Sequence, residues 1–189
     1  MQVTAIILAG GNSSRMGRDK GLIKLNGVPM IAHVIKALKN ITDDILIISN
    51  NDDYRQFNFP IYSDIIANKG PIGGIYTGLI KSNTEVNIVI SCDSPFMTAS
   101  FINKLLAHSG DQEVTISSYN DRVHPTIGIY NQSITPTLKQ QIDNNEFKLM
   151  NTIEKVRHQI IPFSSTDEAI DPIIFSNINT QQELLKYQK

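Results

Sequence analysis

No charge of either sign dominates this sequence. Over 189 residues, 17 Lys and Arg stand against 18 Asp and Glu, giving a formal net charge of −1 and a pI of about 6.4. Such a chain has no global field to draw nucleic acid or an acidic membrane toward it, so cations meant for a phosphate must be placed locally. Cysteine occurs once, at Cys92, which excludes an internal disulfide and suits a reducing cytosol. No apolar run is long enough to span a bilayer. The chain enters its first apolar run at once, without the charged segment, long apolar stretch and cleavage site of a secretory leader. Internal repeats, heptads and low-complexity linkers are missing too. The expectation is a cytoplasmic protein that binds neither nucleic acid nor membrane. At 21.1 kDa, residues 1–189 fit one domain with a sizeable core.

What is present alternates. Val3 to Leu8 reads as a strand buried on both faces, Ile45 to Ile48 as a second and 59–62 as a weaker third. Pro29 stands at a plausible first helical position before Ile31, Val34, Ile35 and Leu38 at helical spacing. Gly70-Pro71-Ile72-Gly73-Gly74 opens a helix carrying Ile75, Leu79 and Ile80. A fourth strand covers 87–91, with Cys92 as a small buried strand residue rather than a nucleophile, since no histidine stands beside it. Thr98 can cap a helix bearing Phe101, Ile102, Leu105 and Leu106; 114–117 and 126–130 read as further strands. Thr180-Gln181-Gln182-Glu183 has the spacing of a capping box before a terminal helix. The polar stretches 143–146 and 164–168 read as loops rather than domain boundaries. This order predicts an α/β fold with a mostly parallel central sheet and helices on both faces. In such sheets ligands gather beyond the carboxyl ends of the strands.

The chemistry concentrates where the first strand ends. Leu8-Ala9-Gly10-Gly11-Asn12-Ser13-Ser14-Arg15-Met16-Gly17-Arg18-Asp19-Lys20 joins a strand to a glycine-containing loop with two cations, Arg15 and Lys20. Glycine lets backbone N–H groups approach an anion closely, so the segment reads as a phosphate cradle. Its spacing matches neither the dinucleotide-binding G-x-G-x-x-G nor the Walker-type G-x-x-x-x-G-K-[ST]. On the same predicted edge lie Asp64 and Asp93. A carboxylate at a strand end, as Asp93 is after Ile88-Val89-Ile90, can hold Mg²⁺ against triphosphate oxygens; a turn aspartate bonding the backbone before Pro95 is the plainer alternative. Asp64 taken alone is an ordinary loop carboxylate. His33, His108 and His158 have no ligand-like spacing, and no Ser-His-Asp or Cys-His arrangement stands out.

The thirteen residues from Leu8 to Lys20 follow the L-A-G-G-x-S-x-R-M-G-x-D-K pattern of nucleotidyltransferases, and within that superfamily they resemble the molybdenum cofactor guanylyltransferases. Ser91-Cys92-Asp93-Ser94-Pro95-Phe96 resembles that family's metal-binding C-D-[ST]-P-[FY] segment. Asp64 followed by Gly70-Pro71-Ile72-Gly73-Gly74 resembles its aspartate and G-P-[LM]-x-G pair along the nucleotide. Arg122-Val123-His124-Pro125-Thr126 looks like its H-P-T strand entry on the pterin side, although His124 alone reads equally as a histidine satisfied at a strand edge. Asn177-Ile178-Asn179-Thr180 resembles its N-x-N-T terminus. One departure stands out: the family's nucleotide-contacting asparagine after the second strand has no clear counterpart, Ile48 or Ser49 occupying that place.

The resemblance implies a three-layer Rossmann-like nucleotidyltransferase fold with a GTP-binding N-terminal half and a molybdopterin-side C-terminal half. The implied reaction transfers GMP from GTP to molybdenum-molybdopterin with release of pyrophosphate. Arg15, Lys20 and Asp93 would act in catalysis, with Asp93 holding Mg²⁺. Leu8, Ala9, Gly10, Gly11, Lys20, Asp64, Gly70, Gly74, Asp93, His124, Asn177 and Asn179 would line the binding sites. Asp64 could accept hydrogen bonds from guanine N1–H and its exocyclic amine, or bind ribose hydroxyls. Molybdenum-insertion and molybdoenzyme-maturation proteins are the implied partners. The rivals are a cytidylyl- or uridylyltransferase acting on molybdenum cofactor or on a sugar or polyol phosphate, and a nucleotide-binding module without turnover.

Overall fold

The computed structural model describes residues 2–10, 19–164 and 171–188. Gly11 and Arg15, and residues 165–168 of the second polar stretch, lie outside the described residues. The strands are β1 (Val3–Leu8), β2 (Lys24–Leu25), β3 (Val28–Pro29), β4 (Ile45–Ile48), β5 (Ile61–Tyr62), β6 (Val86–Ser91), β7 (Val114–Tyr119), β8 (Arg122–Asn131) and β9 (His158–Phe163). The helices are α1 (Met30–Leu38), α2 (Pro71–Lys81), α3 (Ala99–Ser109), α4 (Thr135–Asp143), α5 (Leu149–Ile153) and α6 (Gln181–Tyr187).

Seven strands form one sheet in the order β5-β4-β1-β6-β8-β7-β9, and β2 pairs with β3 in a separate hairpin. All pairings in the large sheet are parallel except those of β8, which runs against both β6 and β7. Every residue of β1 and β4 is buried, as expected for strands covered on both faces. Alternate residues point to opposite sides. Ala5 and Ile7 join Ile31, Val34 and Leu38 of α1 and Phe101, Ile102 and Leu105 of α3. Ile6 and Leu8 join Ile72, Ile75 and Leu79 of α2, Leu138 and Ile142 of α4 and Ile153 of α5. The result is the expected three-layer α/β architecture. Gly78 marks how closely α2 approaches the sheet, since a Cβ there would lie 2.5 Å from Ile6 Cγ2.

Several boundaries differ from the sequence reading. Pro29 is the residue before α1, extended at φ −53°, ψ 139°, rather than its first helical residue. Cys92 is buried as expected but stands in the turn after β6. The third strand shrinks to Ile61–Tyr62, whereas β7 and β8 run longer than anticipated. Asp143 ends α4 instead of belonging to a loop. The structure adds β9, α4 and α5. Thr98 accepts the Phe101 N–H at 3.3 Å, and the capping box at Thr180 and Glu183 is complete. Among the described residues, no helix is long and apolar enough to cross a membrane.

Candidate nucleotide and phosphoryl-transfer site

Chain order reverses at β1, which lies between β4 on one side and β6 on the other. Doubly wound sheets open a crevice at such a point, beyond the strand carboxyl ends. Here Ile48, Leu8 and Ser91, the last residues of β4, β1 and β6, stand side by side in register. All three line a cavity of about 540 Å³. Two further bonds carry the parallel pairing past the strand ends: the Ala9 N–H reaches Ile48 O at 2.9 Å, and the Cys92 N–H reaches Leu8 O at 3.0 Å.

Of the residues singled out in the sequence, Leu8, Ala9, Gly10, Asp64, Gly70 and Gly74 line this cavity. Gly70 has φ 64° and ψ −152°, a conformation essentially reserved for glycine, and this turn aims the start of α2 into the cavity through Gly70, Pro71 and Gly74. A helix start presents free N–H groups and partial positive charge, which favours an anion. Gly74 lets that start sit close: a Cβ there would come within 3.1 Å of Leu8 Cδ2 and 3.8 Å of Asp64 Oδ1. Thr77 fixes the intervening loop by accepting the Ile65 N–H at 2.9 Å while donating to Gly73 O at 2.9 Å. Burial holds the Asp64 carboxyl above its ordinary value, so ionised Asp64 gains from any donor a ligand brings.

Lys20, Asp93, Asn177 and Asn179 form a second cluster beside the cavity. The Lys20 ammonium donates to Asn179 Oδ1 at 2.6 Å and lies 3.4 Å from Asp93 Oδ2. The Ser91 hydroxyl, at the cavity wall, donates to Asp93 Oδ1 at 2.6 Å, so Asp93 is one hydrogen bond from the cavity. Ser94 donates to Asn177 Oδ1 at 3.1 Å, and the Ile178 N–H to Asp93 O at 3.1 Å. These bonds tie the C-terminal segment to the turn after β6. Glu183 holds it from the other side, accepting the Asn179 and Thr180 N–H groups at 2.7 and 2.9 Å. Those backbone bonds, that of Asn179 first, hold the Glu183 carboxyl below its ordinary value.

His124 lies apart from the cavity lining. It pairs with Ser117 of β7, in the part of β8 that runs beyond its pairing with β6, and packs on the Phe175 ring at 5.1 Å. Burial, followed by the Arg122 charge, lowers its pKa. Thr126 of the same segment does reach the cavity. A break in register places Ser117 opposite His124 but Ile116 opposite Gly128, so β8 bulges at 125–127. Proline is tolerated at such bulges.

The sequence reading missed the lining residues Asn50, Asn51 and Asn68, and quoted Asp19 and Ser91 within their motifs without giving either a role. The first two asparagines correct the departure noted above. β4 ends at Ile48, and Asn50 and Asn51 follow it directly at the cavity wall, so amide side chains are present one or two positions beyond Ser49. Strand-end placement was the available signal.

Among the described residues no three metal-ligating side chains cluster. Mg²⁺ at a nucleotide needs less: one or two carboxylates, with phosphate and water oxygens completing the shell. Asp93 suits that role as a hard oxygen donor, 7% exposed and fixed by Ser91 beside the cavity.

A doubly wound sheet with a helix start at its switch-point cavity, and a lysine and a fixed carboxylate one hydrogen bond beyond the wall, suits phosphoryl transfer, and the relatives make the chain a nucleotidyltransferase. Residues 5–160 match the family model described as "MobA-like NTP transferase domain", and the chain belongs to that family. It is 36% identical over 183 residues to a Flavobacterium johnsoniae protein named "Probable molybdenum cofactor guanylyltransferase", covering 96% of this chain and 94% of that one. It is 34% identical to the "Molybdenum cofactor guanylyltransferase" of Vibrio campbellii, with 98% and 95% coverage. The fold superposes on the Archaeoglobus fulgidus "Molybdopterin-guanine dinucleotide biosynthesis protein A" with TM-score 0.79 at 19% identity, over 98% and 96% of the two chains.

Proposed function

We propose that the protein transfers GMP from GTP to the terminal phosphate of molybdenum-molybdopterin, forming molybdopterin guanine dinucleotide and releasing pyrophosphate in the cytoplasm. The observation that carries this reading is the junction of two groups of residues. A cavity with a helix start and the end of β1 abuts the Lys20–Asp93–Asn179 cluster through Ser91. Relatives along nearly the whole chain carry the guanylyltransferase name.

The chemistry asks little of acid–base groups. A phosphate monoester has a second pKa near ~6, so the acceptor is largely dianionic at neutral pH and needs no general base. It does need in-line placement and relief of repulsion between two anions. The α2 N-terminus and the backbone after Leu8 bind the triphosphate. Lys20 supplies a fixed cation to the charge that grows on the leaving pyrophosphate. Asp93 would hold Mg²⁺, which when bound supplies charge neutralisation at the phosphate oxygens. Asp64, poorly solvated and facing the cavity, accepts from guanine N1–H and its exocyclic amine. Asn177 and Asn179 stand on the acceptor side.

The test is pyrophosphate release with Mg²⁺ and molybdenum-loaded molybdopterin, offering each nucleoside triphosphate separately. The expected result is release that requires the pterin and is fastest with GTP. Equal or faster release with CTP would overturn the assignment.

A further inference from the structure

Tyr54 is wholly buried, although it belongs to the short 3-10 turn Asp52–Phe57 beyond β4 rather than to a core strand or helix. Its hydroxyl donates to Asp19 Oδ1. The same carboxylate accepts the Gly21 N–H at 3.2 Å and, on Oδ2, the Asn51 side-chain amide at 3.2 Å. Asn51 in turn caps the Tyr54 turn by accepting the Asp53 N–H at 2.9 Å. Asp19 and Asn51 both line the cavity. Neutral donors thus satisfy Asp19, while the ammonium of the next residue, Lys20, bonds to Asn179 and lies near Asp93.

The packing around the hydroxyl is closed. A Cβ at Gly21 would collide with it and lie 3.2 Å from Cys92 Cβ. Burial, with Cys92 next in effect, pushes the phenol above its ordinary value, so it remains a donor at neutral pH. The tyrosine therefore joins the turn after the β1 loop to the loop after β4, with Cys92 of the metal-side turn packed alongside. Its own position is not at the cavity wall.

We propose that Tyr54 is a positioning residue for nucleotidyl transfer: its buried hydroxyl fixes the Asp19 carboxylate, and through the Asp19–Gly21 turn the Lys20 ammonium, against the nucleotide cavity. The proposal rests on the reading of that cavity as the nucleoside triphosphate site. Asp19 caps the 3-10 turn Lys20–Leu22, whose backbone sets the direction in which Lys20 leaves the chain. Loss of the tyrosine donor frees one carboxylate oxygen to turn toward Lys20 or toward the phosphates, and either motion weakens the grip on an anion.

The test is a double-mutant cycle of Tyr54→Phe and Asp19→Ala. Calorimetry of the Mg²⁺ complex of each nucleoside triphosphate reads binding, single-turnover pyrophosphate release reads transfer, and thermal melting reads the fold. Tyr54→Phe keeps the ring, so the expected protein melts within a few degrees of wild type. It should lose about ten-fold in affinity for the preferred triphosphate, the scale of one hydrogen bond to a charged group, and should transfer more slowly at saturation. In the Asp19→Ala background the same substitution should cost nothing further. Two results would overturn the proposal: unchanged binding and transfer in Tyr54→Phe, or an equal loss in both backgrounds, which would mean that the tyrosine acts through the core alone. Calorimetry does not depend on the acceptor. A wild type that binds GTP but releases no pyrophosphate with the pterin would refute the proposed acceptor while leaving the Tyr54 cycle decisive.

Discussion

Lys20 makes two contacts that pull in one direction. Its ammonium is bonded to Asn179 and lies near Asp93, so its charge is held beside the carboxylate proposed to hold the metal. If it acts on charge developing during transfer, Lys20→Ala should lower single-turnover transfer at saturating GTP by about 10²-fold, beyond any change in GTP affinity. A defect confined to affinity would reduce Lys20 to an anchor. Asp93→Asn keeps the size of the side chain and an oxygen for the Ser91 hydroxyl; it should abolish transfer while melting within a few degrees of wild type. Asp64 gives a prediction of opposite sign for stability. Its folded pKa is raised by burial, so the stability it lends is complete below the unfolded value and is lost as pH rises through the folded one. At neutral pH the ionised group is therefore a burden on the fold, consistent with the proposed role of Asp64 in binding the base. Asp64→Asn should raise Tm by a few degrees at most at pH 7 and weaken GTP binding, measured by melting and calorimetry on the same sample. Asp93 was legible because it follows an apolar run, and Asp64 chiefly through the resemblance of its segment and the glycines after it. Tyr54 was not, since a single tyrosine in a polar stretch gives no sign of being buried.

At the scale of elements, the described residues that follow β1, β4, β5 and β6 meet because parallel pairing puts their strand ends in one row. Glu183 connects the last helix to that row by holding the Asn179 and Thr180 N–H groups. Glu183→Ala should cost about 1 kcal/mol of stability, as loss of a helix cap does, or a few degrees in Tm. It should also slow transfer by loosening Asn179 from Lys20. Glu183→Gln, which can keep the box, should restore most of both. Melting curves and transfer rates on the pair decide it. The capping box and the Gly70-Pro71 helix start could be read locally, because cap chemistry is a matter of neighbours in sequence. α4 and β9 could not. α4 begins Thr-Pro-Thr and carries Leu138 and Ile142 as its buried apolar residues, a weak helical signal completed by packing on α2. β9 contains Pro162, which reads against a strand but is acceptable here because β9 is an edge. The β8 bulge that carries Thr126 to the cavity depends on pairing with β7, which no local pattern encodes.

For the whole molecule, a buried group of the sheet outside the cavity lining also sets the pH range in which the fold stands. Burial lowers the His124 pKa, and the unfolded chain therefore takes up a proton before the folded one does. Stability from this group is complete above about 6.5, the unfolded value, and is lost as pH falls through the folded one. Tm should decline as the pH is taken from 7 to 5, and His124→Leu should flatten that decline; an identical slope in the variant would remove His124 from the account. Guanylyl transfer is tested most directly by the mass of the pterin product. Molybdenum-loaded molybdopterin, Mg²⁺ and an equimolar mixture of GTP, CTP, UTP and ATP are incubated with the protein, and the dinucleotide is identified by mass spectrometry. The expected product is a pterin carrying GMP. A pterin carrying CMP or UMP, or no dinucleotide from a folded protein, would contradict guanylyl transfer.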